Sequence, residues 1–265
     1  FDSLERAKMV QHVILPSNTE MKEFFPEHFI FYLPKESISG DFYWVRKVDD
    51  VTLIAVADCT GHGIPAALIS MVCYNMLNTT VNQLGYQNPV NILTEVNSLV
   101  SEFMSAHHKN NIGDGMDISL CAINESRKLV KFAGAKRPIY INAKTFNKGT
   151  INEDNLRFFE NEEGQKLYEI KGSNASVGGI GSNFEIQEQG FHYQKGDTIY
   201  LTSDGFADQF GGNNDKKYKT KKMKNLLLSF KDIEMKEQKQ LLIKEFINWK
   251  KDKEQTDDVT VLGIK

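Results

Sequence analysis

The chain has 265 residues, 40% of them hydrophobic and 11% aromatic, with a formal charge of −3 from 32 basic and 35 acidic side chains. That length and apolar share can bury a sizeable core, which excludes intrinsic disorder as the main state. The near-neutral balance argues against a nucleic-acid-binding domain, no apolar run reaches the ~18–20 residues of a membrane span, and no secretory leader opens the chain. Three cysteines, Cys59, Cys73 and Cys121, without CxxC spacing support neither a disulfide framework nor a zinc site, and a reducing, cytoplasmic setting fits them. A start at Phe1 rather than Met reads as a piece of a longer chain, so membrane contact is expected only through an unseen upstream region.

Residues 4–15 carry Leu4, Ala7, Val10, Val13 and Ile14 at helical spacing and stop at Pro16. This amphipathic segment is either core or a terminal helix that pairs with a second copy and carries a signal; residues 1–18 are accordingly set apart as a linker or regulatory helix from a domain of residues 19–265. Strands are expected at 29–33, 41–48 and 51–57, the last two joined by an Asp49-Asp50 turn. The 51–57 run is continuously apolar, as in a strand buried on both faces. After Asp58 comes the Gly-rich turn Cys59-Thr60-Gly61-His62-Gly63, then a helix over 64–78 that is small and apolar nearly all round, and a second helix from Pro89 to Phe103. A polar loop (105–115) leads into a meander of strands at 116–123, 129–133 and 138–141. Residues 147–164 read as a hairpin or mobile insertion. Further strands fit 167–170, 184–192 and 198–202, followed by helices at 221–230 and 236–250 and a last strand at 259–264. The lysines between Lys216 and Lys224 read as a solvated helix face. Meanders with paired helices indicate an α+β fold with antiparallel sheets, in one domain.

Four acidic positions stand at the edges of apolar strands: Asp41, Asp58, Asp204 and the pair Asp257-Asp258. A desolvated carboxylate there is costly without a positive partner, and no Arg or Lys flanks them in sequence. Several acids converging without basic partners bind divalent cations, and hard oxygen donors suit Mg²⁺ or Mn²⁺. Any one of them alone is more often a turn former or cap. Gly40, Gly61, Gly63 and Gly205 beside them allow close backbone approach to a ligand.

These residues fall in strings that carry a resemblance. Ser39-Gly40-Asp41-Phe42-Tyr43-Trp44 and Val56-Ala57-Asp58-Cys59-Thr60-Gly61-His62-Gly63-Ile64-Pro65-Ala66 are followed in order by Gly113-Asp114-Gly115-Met116-Asp117 and Phe132-Ala133-Gly134-Ala135. Ser203-Asp204-Gly205 and Thr256-Asp257-Asp258-Val259-Thr260 complete the series. Together they resemble the SpoIIE-type (RsbU-like) branch of the PP2C, or PPM, protein serine/threonine phosphatases.

The resemblance implies an α-β-β-α sandwich with two divalent cations, Mn²⁺ or Mg²⁺, at one end. It implies that Asp58 bridges them, that the Cys59 backbone carbonyl ligates one and that Asp204 and Asp257 complete the other. Asp41 is the remaining acidic member of the metal site, a ligand either directly or through water and catalytic as Asp58 is, and Asp258 is the further candidate ligand, a neighbour that orients ligands or waters. His62 is a minority candidate for protonating the leaving group, set against a plain turn histidine. The Gly61-His62-Gly63 turn opens a helix whose N-terminal amides favour phosphate, so Gly61 and Gly63 are candidate substrate contacts; Lys136 and Arg137 are the available basic clamps. The implied reaction is in-line attack of a water activated by two metals on phosphoserine or phosphothreonine. In this branch the substrate is a regulatory phosphoprotein such as an anti-anti-sigma factor, within bacterial signal transduction, and the implied setting is the cytoplasmic part of a larger sensor. Two rivals stand beside it: a catalytically silent phosphatase-like binding module, and another two-metal hydrolase acting on nucleotides or nucleic acid.

Overall fold

The computed structural model describes residues 2–107, 115–179 and 184–265. Its elements follow in chain order. Helices α1 (Asp2–Ile14) and α2 (Asn18–Phe24) precede strands β1 (His28–Leu33), β2 (Asp41–Val48) and β3 (Val51–Cys59). Helices α3 (Gly63–Leu84) and α4 (Pro89–His107) come next, then β4 (Met116–Asn124), β5 (Leu129–Ala135), β6 (Ile139–Asn142), β7 (Leu156–Glu160), β8 (Lys166–Ile170), β9 (Gln189–His192) and β10 (Thr198–Thr202). Helix α5 (Gly205–Asp208), the short pair β11 (Phe210–Gly211) and β12 (Lys216–Lys217), helices α6 (Thr220–Leu228) and α7 (Met235–Lys250), and β13 (Val259–Ile264) complete the chain.

Two antiparallel sheets carry the fold, a five-stranded one ordered β2-β3-β4-β5-β9 and a six-stranded one ordered β1-β13-β10-β6-β8-β7. Period-two alternation sorts their side chains into layers. On β3, Leu53, Ala55, Ala57 and Cys59 pack under α3 and α4, with Cys73, Leu77, Ile92 and Val96. Ile54 and Val56 point the other way, into the space between the sheets, where they meet Phe132, Ile139, Leu201 and Leu262. On the outer face of the second sheet, Tyr200 and Val261 pack with Phe206, Leu227 and Phe246 of α5, α6 and α7. Three apolar clusters thus separate four layers, and the α-β-β-α sandwich of the α+β class is present.

Helix α3 is long and apolar enough to cross a membrane by length and composition. It is a core helix here, with Ala66, Ala67, Cys73, Leu77 and Val81 buried.

Several elements differ from the sequence-based expectation. Helix α2 was not anticipated, although Ser17 and Glu20 form a capping box: the Glu20 amide donates to Ser17 Oγ at 3.1 Å and the Ser17 amide to Glu20 Oε2 at 3.2 Å. The 147–164 segment, expected as a hairpin or mobile insertion, takes the hairpin form, with a 3-10 turn at Glu153–Asn155 and β7 pairing β8 at the sheet edge. The expected strand 184–192 shrinks to β9, because only Gln189–His192 find ladder partners on β5; Phe184 and Ile186 instead pack on the cluster under α3 and α4. The lysine run is not uniformly solvated. Lys224 is buried in a 2.8 Å ion pair with Glu169, lying over the Phe159 ring, and Lys222 sits 3.7 Å from the Trp249 ring centre. Gly113 and Asp114 lie outside the described residues.

Candidate metal centre

The sandwich register builds the site. Asp41 pairs across β2–β3 with Asp58, and Asp58 pairs across β3–β4 with Asp117, so three carboxylates stand side by side at one end of the sheet. Asp58 shares the parity of Ile54 and Val56, which directs it toward the space between the sheets. From the facing sheet, β10 runs out at Thr202 into Ser203 and Asp204, and β13 begins one residue after Asp258. The Ser203 amide donates to the Thr260 carbonyl at 3.0 Å and the Thr260 amide to Ser203 Oγ at 2.9 Å, which locks these two ends together.

Each acid is held differently. Asp41 is buried; its carboxylate accepts from Thr260 Oγ1 at 2.8 Å, across the sandwich, and its amide donates to Ser39 Oγ at 3.0 Å. Burial pushes the Asp41 carboxyl up to about 8; a hydrogen bond from Ser203 opposes this and the Asp258 charge adds to it. Asp58 is also raised well above the usual carboxylate range, by burial first and then by Asp41, with the Arg137 charge working against them. Asp257 is raised by burial, against a hydrogen bond from the Asp258 amide, with the Asp204 and Asp258 charges adding to the rise. Such a cluster is electrostatically short of positive charge.

Asp258 faces elsewhere. Its Oδ1 accepts from the Lys35 amide and its Oδ2 from the Gly40 amide, both at 2.7 Å, so both oxygens hold the β1–β2 connection that delivers Asp41. His62 precedes α3, half exposed, with Nδ1 2.8 Å from Glu36 Oε1. The turn ahead of it is possible because Gly61 and Gly63 adopt φ of +87° and +72°. Cys59 lies in register with Met116, and its amide donates to the Gly40 carbonyl at 3.3 Å. Burial, followed by the neighbouring Cys73, pushes the Cys59 thiol well up, which removes thiolate character. All three cysteines are free and buried.

The expectation that these acids lack a basic partner is corrected. Arg137 Nη2 lies 2.8 Å from Asp58 Oδ2, 2.6 Å from Asp204 Oδ2 and 3.3 Å from Asp117 Oδ2. Asp117 also accepts from Ser176 Oγ at 2.6 Å and has Lys136 Nζ at 3.9 Å. Arg137 lies on the short crossover from β5 to β6, which carries the chain from one sheet to the other directly past the acids. Neither Arg137 nor Asp117 was singled out as part of the acidic site. The signal lay in two-residue arithmetic: Asp117, near the start of β4, must face whatever lies near the end of its antiparallel neighbour β3, which is Asp58.

The donor set fits a divalent cation. It is made of hard carboxylate oxygens, its acids repel one another, and a guanidinium stands in as the positive charge they require. Among the described residues, no three Asp, Glu, His or Cys side chains close around a single ion-sized point.

Comparisons with known proteins agree with this architecture. The sequence profile of the family described as Stage II sporulation protein E (SpoIIE) matches residues 49–265. Phosphoserine phosphatase RsbU of Bacillus subtilis (strain 168) is 27% identical over 206 residues, which are 77% of this chain and 53% of that protein, so the chain spans about half the length of this curated relative. The SiaA-PP2C domain of Pseudomonas aeruginosa superposes with a TM-score of 0.84 at 27% identity, covering 100% of this chain and 96% of that one. The PP2C phosphatase domain of SpoIIE from Bacillus subtilis, solved with a fragment of its regulatory domain, shares the fold at a TM-score of 0.66 and 19% identity, over 90% of this chain and 61% of that one. With most of its length matched by the family profile and its two sheets stacked as in these phosphatase domains, the chain belongs to the SpoIIE family and is built on the PP2C-like fold.

Proposed function

We propose that the chain is a metal-dependent protein serine/threonine phosphatase that hydrolyses phosphoserine or phosphothreonine on a bacterial regulatory protein, of which an anti-anti-sigma factor is the expected kind. One observation carries this reading: register puts Asp41, Asp58 and Asp117 on one sheet end, and Arg137 ties two of them to Asp204 of the other sheet. Asp58, Asp204, Asp257 and the Cys59 carbonyl are the groups that would hold two Mn²⁺ or Mg²⁺ ions. When bound, the ions supply a Lewis acid that lowers the pKa of a water and neutralises phosphoryl oxygens. Asp41 orients the site through Thr260 and Ser203. Asp258 holds the Gly40 backbone in place, which favours Asp257 over its neighbour as the ligand. The α3 N-terminus, entered through Gly61 and Gly63, presents amides to the phosphate side, and His62, paired with Glu36, is the available proton donor.

Helix α1, within the regulatory segment 1–18, is proposed to pair with a second copy. It presents Met9, Val10 and Val13 to solvent, with Val13 83% exposed, and Val10 lines a groove with Ile64 and Leu68 of α3. The chain is expected to be a dimer in solution and a version starting at Glu20 a monomer, by light scattering; identical monomers in both would end the idea. The setting proposed is the cytoplasmic part of a sensor protein.

The test of the activity is phosphate release from phosphoserine proteins, with Mn²⁺ and with chelator. Release only with Mn²⁺ is expected. The rival reading, a silent binding module, is favoured by the Arg137 ion pairs, since a cation already neutralises the acids; binding of phosphoprotein without any release would establish it instead. Faster release from nucleotides than from phosphoproteins would favour the other two-metal hydrolases.

A further inference from the structure

The Arg137 guanidinium engages its partners in an unusual way. A guanidinium suited to carboxylates uses two parallel N–H bonds of its fork. Here a single nitrogen, Nη2, faces Asp58, Asp117 and Asp204 at 2.6–3.3 Å, while the buried Nε has no hydrogen-bond partner. Lys224 in the same chain shows what a settled buried cation looks like, with one carboxylate at 2.8 Å and an aromatic ring over it. A buried N–H without an acceptor costs free energy, so the arrangement is held by charge rather than by fit.

Arg137 also has somewhere to go. Its side chain borders a cavity of about 340 Å³ lined by Lys136, Tyr140, Lys171, Thr202, Ser203 and Asp204. Its backbone sits between Lys136, at φ +57°, and Pro138.

We propose that Arg137 and divalent cations compete for the same carboxylates, so that the guanidinium governs how tightly the acidic cage loads. This rests on the reading of Asp58 and Asp204 as cation ligands. The physical reason is direct. A divalent ion ~2.1 Å from a carboxylate oxygen that already lies 2.6–2.8 Å from a guanidinium nitrogen stands only about 4 Å from that nitrogen, where two like charges in a buried site repel strongly. Loading is therefore opposed for as long as Nη2 stays against Asp58 and Asp204, and that repulsion, or the cost of moving Nη2 away, is subtracted from the metal affinity. Arg137 is a positioning residue in this account, acting through the acids.

Calorimetric titration with Mn²⁺ tests it without reference to turnover. Arg137→Gln is expected to bind Mn²⁺ at least about fivefold more tightly than the parent chain. Lys136→Gln removes an equal charge next door, 3.9 Å from Asp117, and is expected to change affinity by less than about twofold. A second measurement covers the case in which Arg137→Gln does not fold: phenylglyoxal labelling of the unmutated chain, read by peptide mass. Arg137, whose side chain is only 15% exposed, is expected to label slowly in chelator and faster once Mn²⁺ is added. Equal Mn²⁺ affinity in the parent and Arg137→Gln, or labelling of Arg137 that Mn²⁺ does not accelerate, overturns the competition while leaving the metal reading standing. No Mn²⁺ binding by either chain removes the metal reading, and the competition with it.

Discussion

Asp58→Asn is expected to leave the chain folded and to lower Mn²⁺-dependent phosphate release by on the order of a thousandfold. The fold should tolerate it because Asn keeps the size of the side chain at a position where the charge is itself a burden. Burial and the neighbouring Asp41 both disfavour the ionised Asp58 carboxyl, and only Arg137 offsets them. Removing that charge relieves repulsion toward Asp41 and leaves Arg137 with Asp204 at 2.6 Å. The stability change is therefore the difference of two opposed effects and is expected to be small. The activity change is not, because Asp58 lies in register between Asp41 and Asp117 and shares Arg137 with Asp204 of the facing sheet. Circular dichroism and a melting curve check the first half, and phosphate release with added Mn²⁺ the second. Undiminished release from the variant would sink the assignment of the site.

Gly205→Ala is the second substitution with a large expected effect, and it acts through backbone alone. A Cβ at this position would stand 1.9 Å from the Asp258 carbonyl oxygen and 2.8 Å from its carbon. Neither is the end of a flexible side chain. Either α5 or the start of β13 must move, and both carry site acids: Asp204 directly precedes Gly205, and Asp257 directly precedes Asp258. Overpacking of this kind costs about 1–3 kcal/mol, which lowers the melting temperature by roughly 3–10 °C in a chain of this size. A displacement near 1 Å in a positioning group can cost about a hundredfold in rate. Asp204 is expected to shift by at least that much, so release should fall at least about a hundredfold. An alanine variant with the parent's melting temperature and rate would show that α5 is not pinned against β13 as described.

Asp41, Asp58, Asp204 and the pair Asp257-Asp258 were legible in the sequence because each stands at an edge of an apolar run, which is visible without any pairing information. Asp58 after Val56-Ala57 is the plainest case. The antiparallel α+β class was legible too, from the meanders and paired helices, whereas the four layers came only from the resemblance; the structure places Phe42, Trp44 and Leu53 on one face and Val45 and Ile54 on the other. Arg137 was not, because its meeting with Asp58 is made by the β3–β4–β5 register followed by a crossover between sheets, and none of that is local. The same limit explains β9: Phe184 and Ile186 have the composition of a strand, and only the reach of β5 decides that pairing begins at Gln189. Helix α2 was a different kind of omission. Its capping box is a local signal, present in Ser17 and Glu20, but seven residues are too few to show a hydrophobic period.

The hydrogen bond from Thr260 to Asp41 spans 219 positions of chain, and the amide of Gly40 reaches Asp258 over 218. Closing loops of that length is slow, and it gains nothing until the ends meet. These bonds therefore join the far end of the chain to the first sheet at the place where the carboxylates gather. Ions captured there would act as a clasp on the whole molecule, raising resistance to heat and proteases far beyond the few residues they touch.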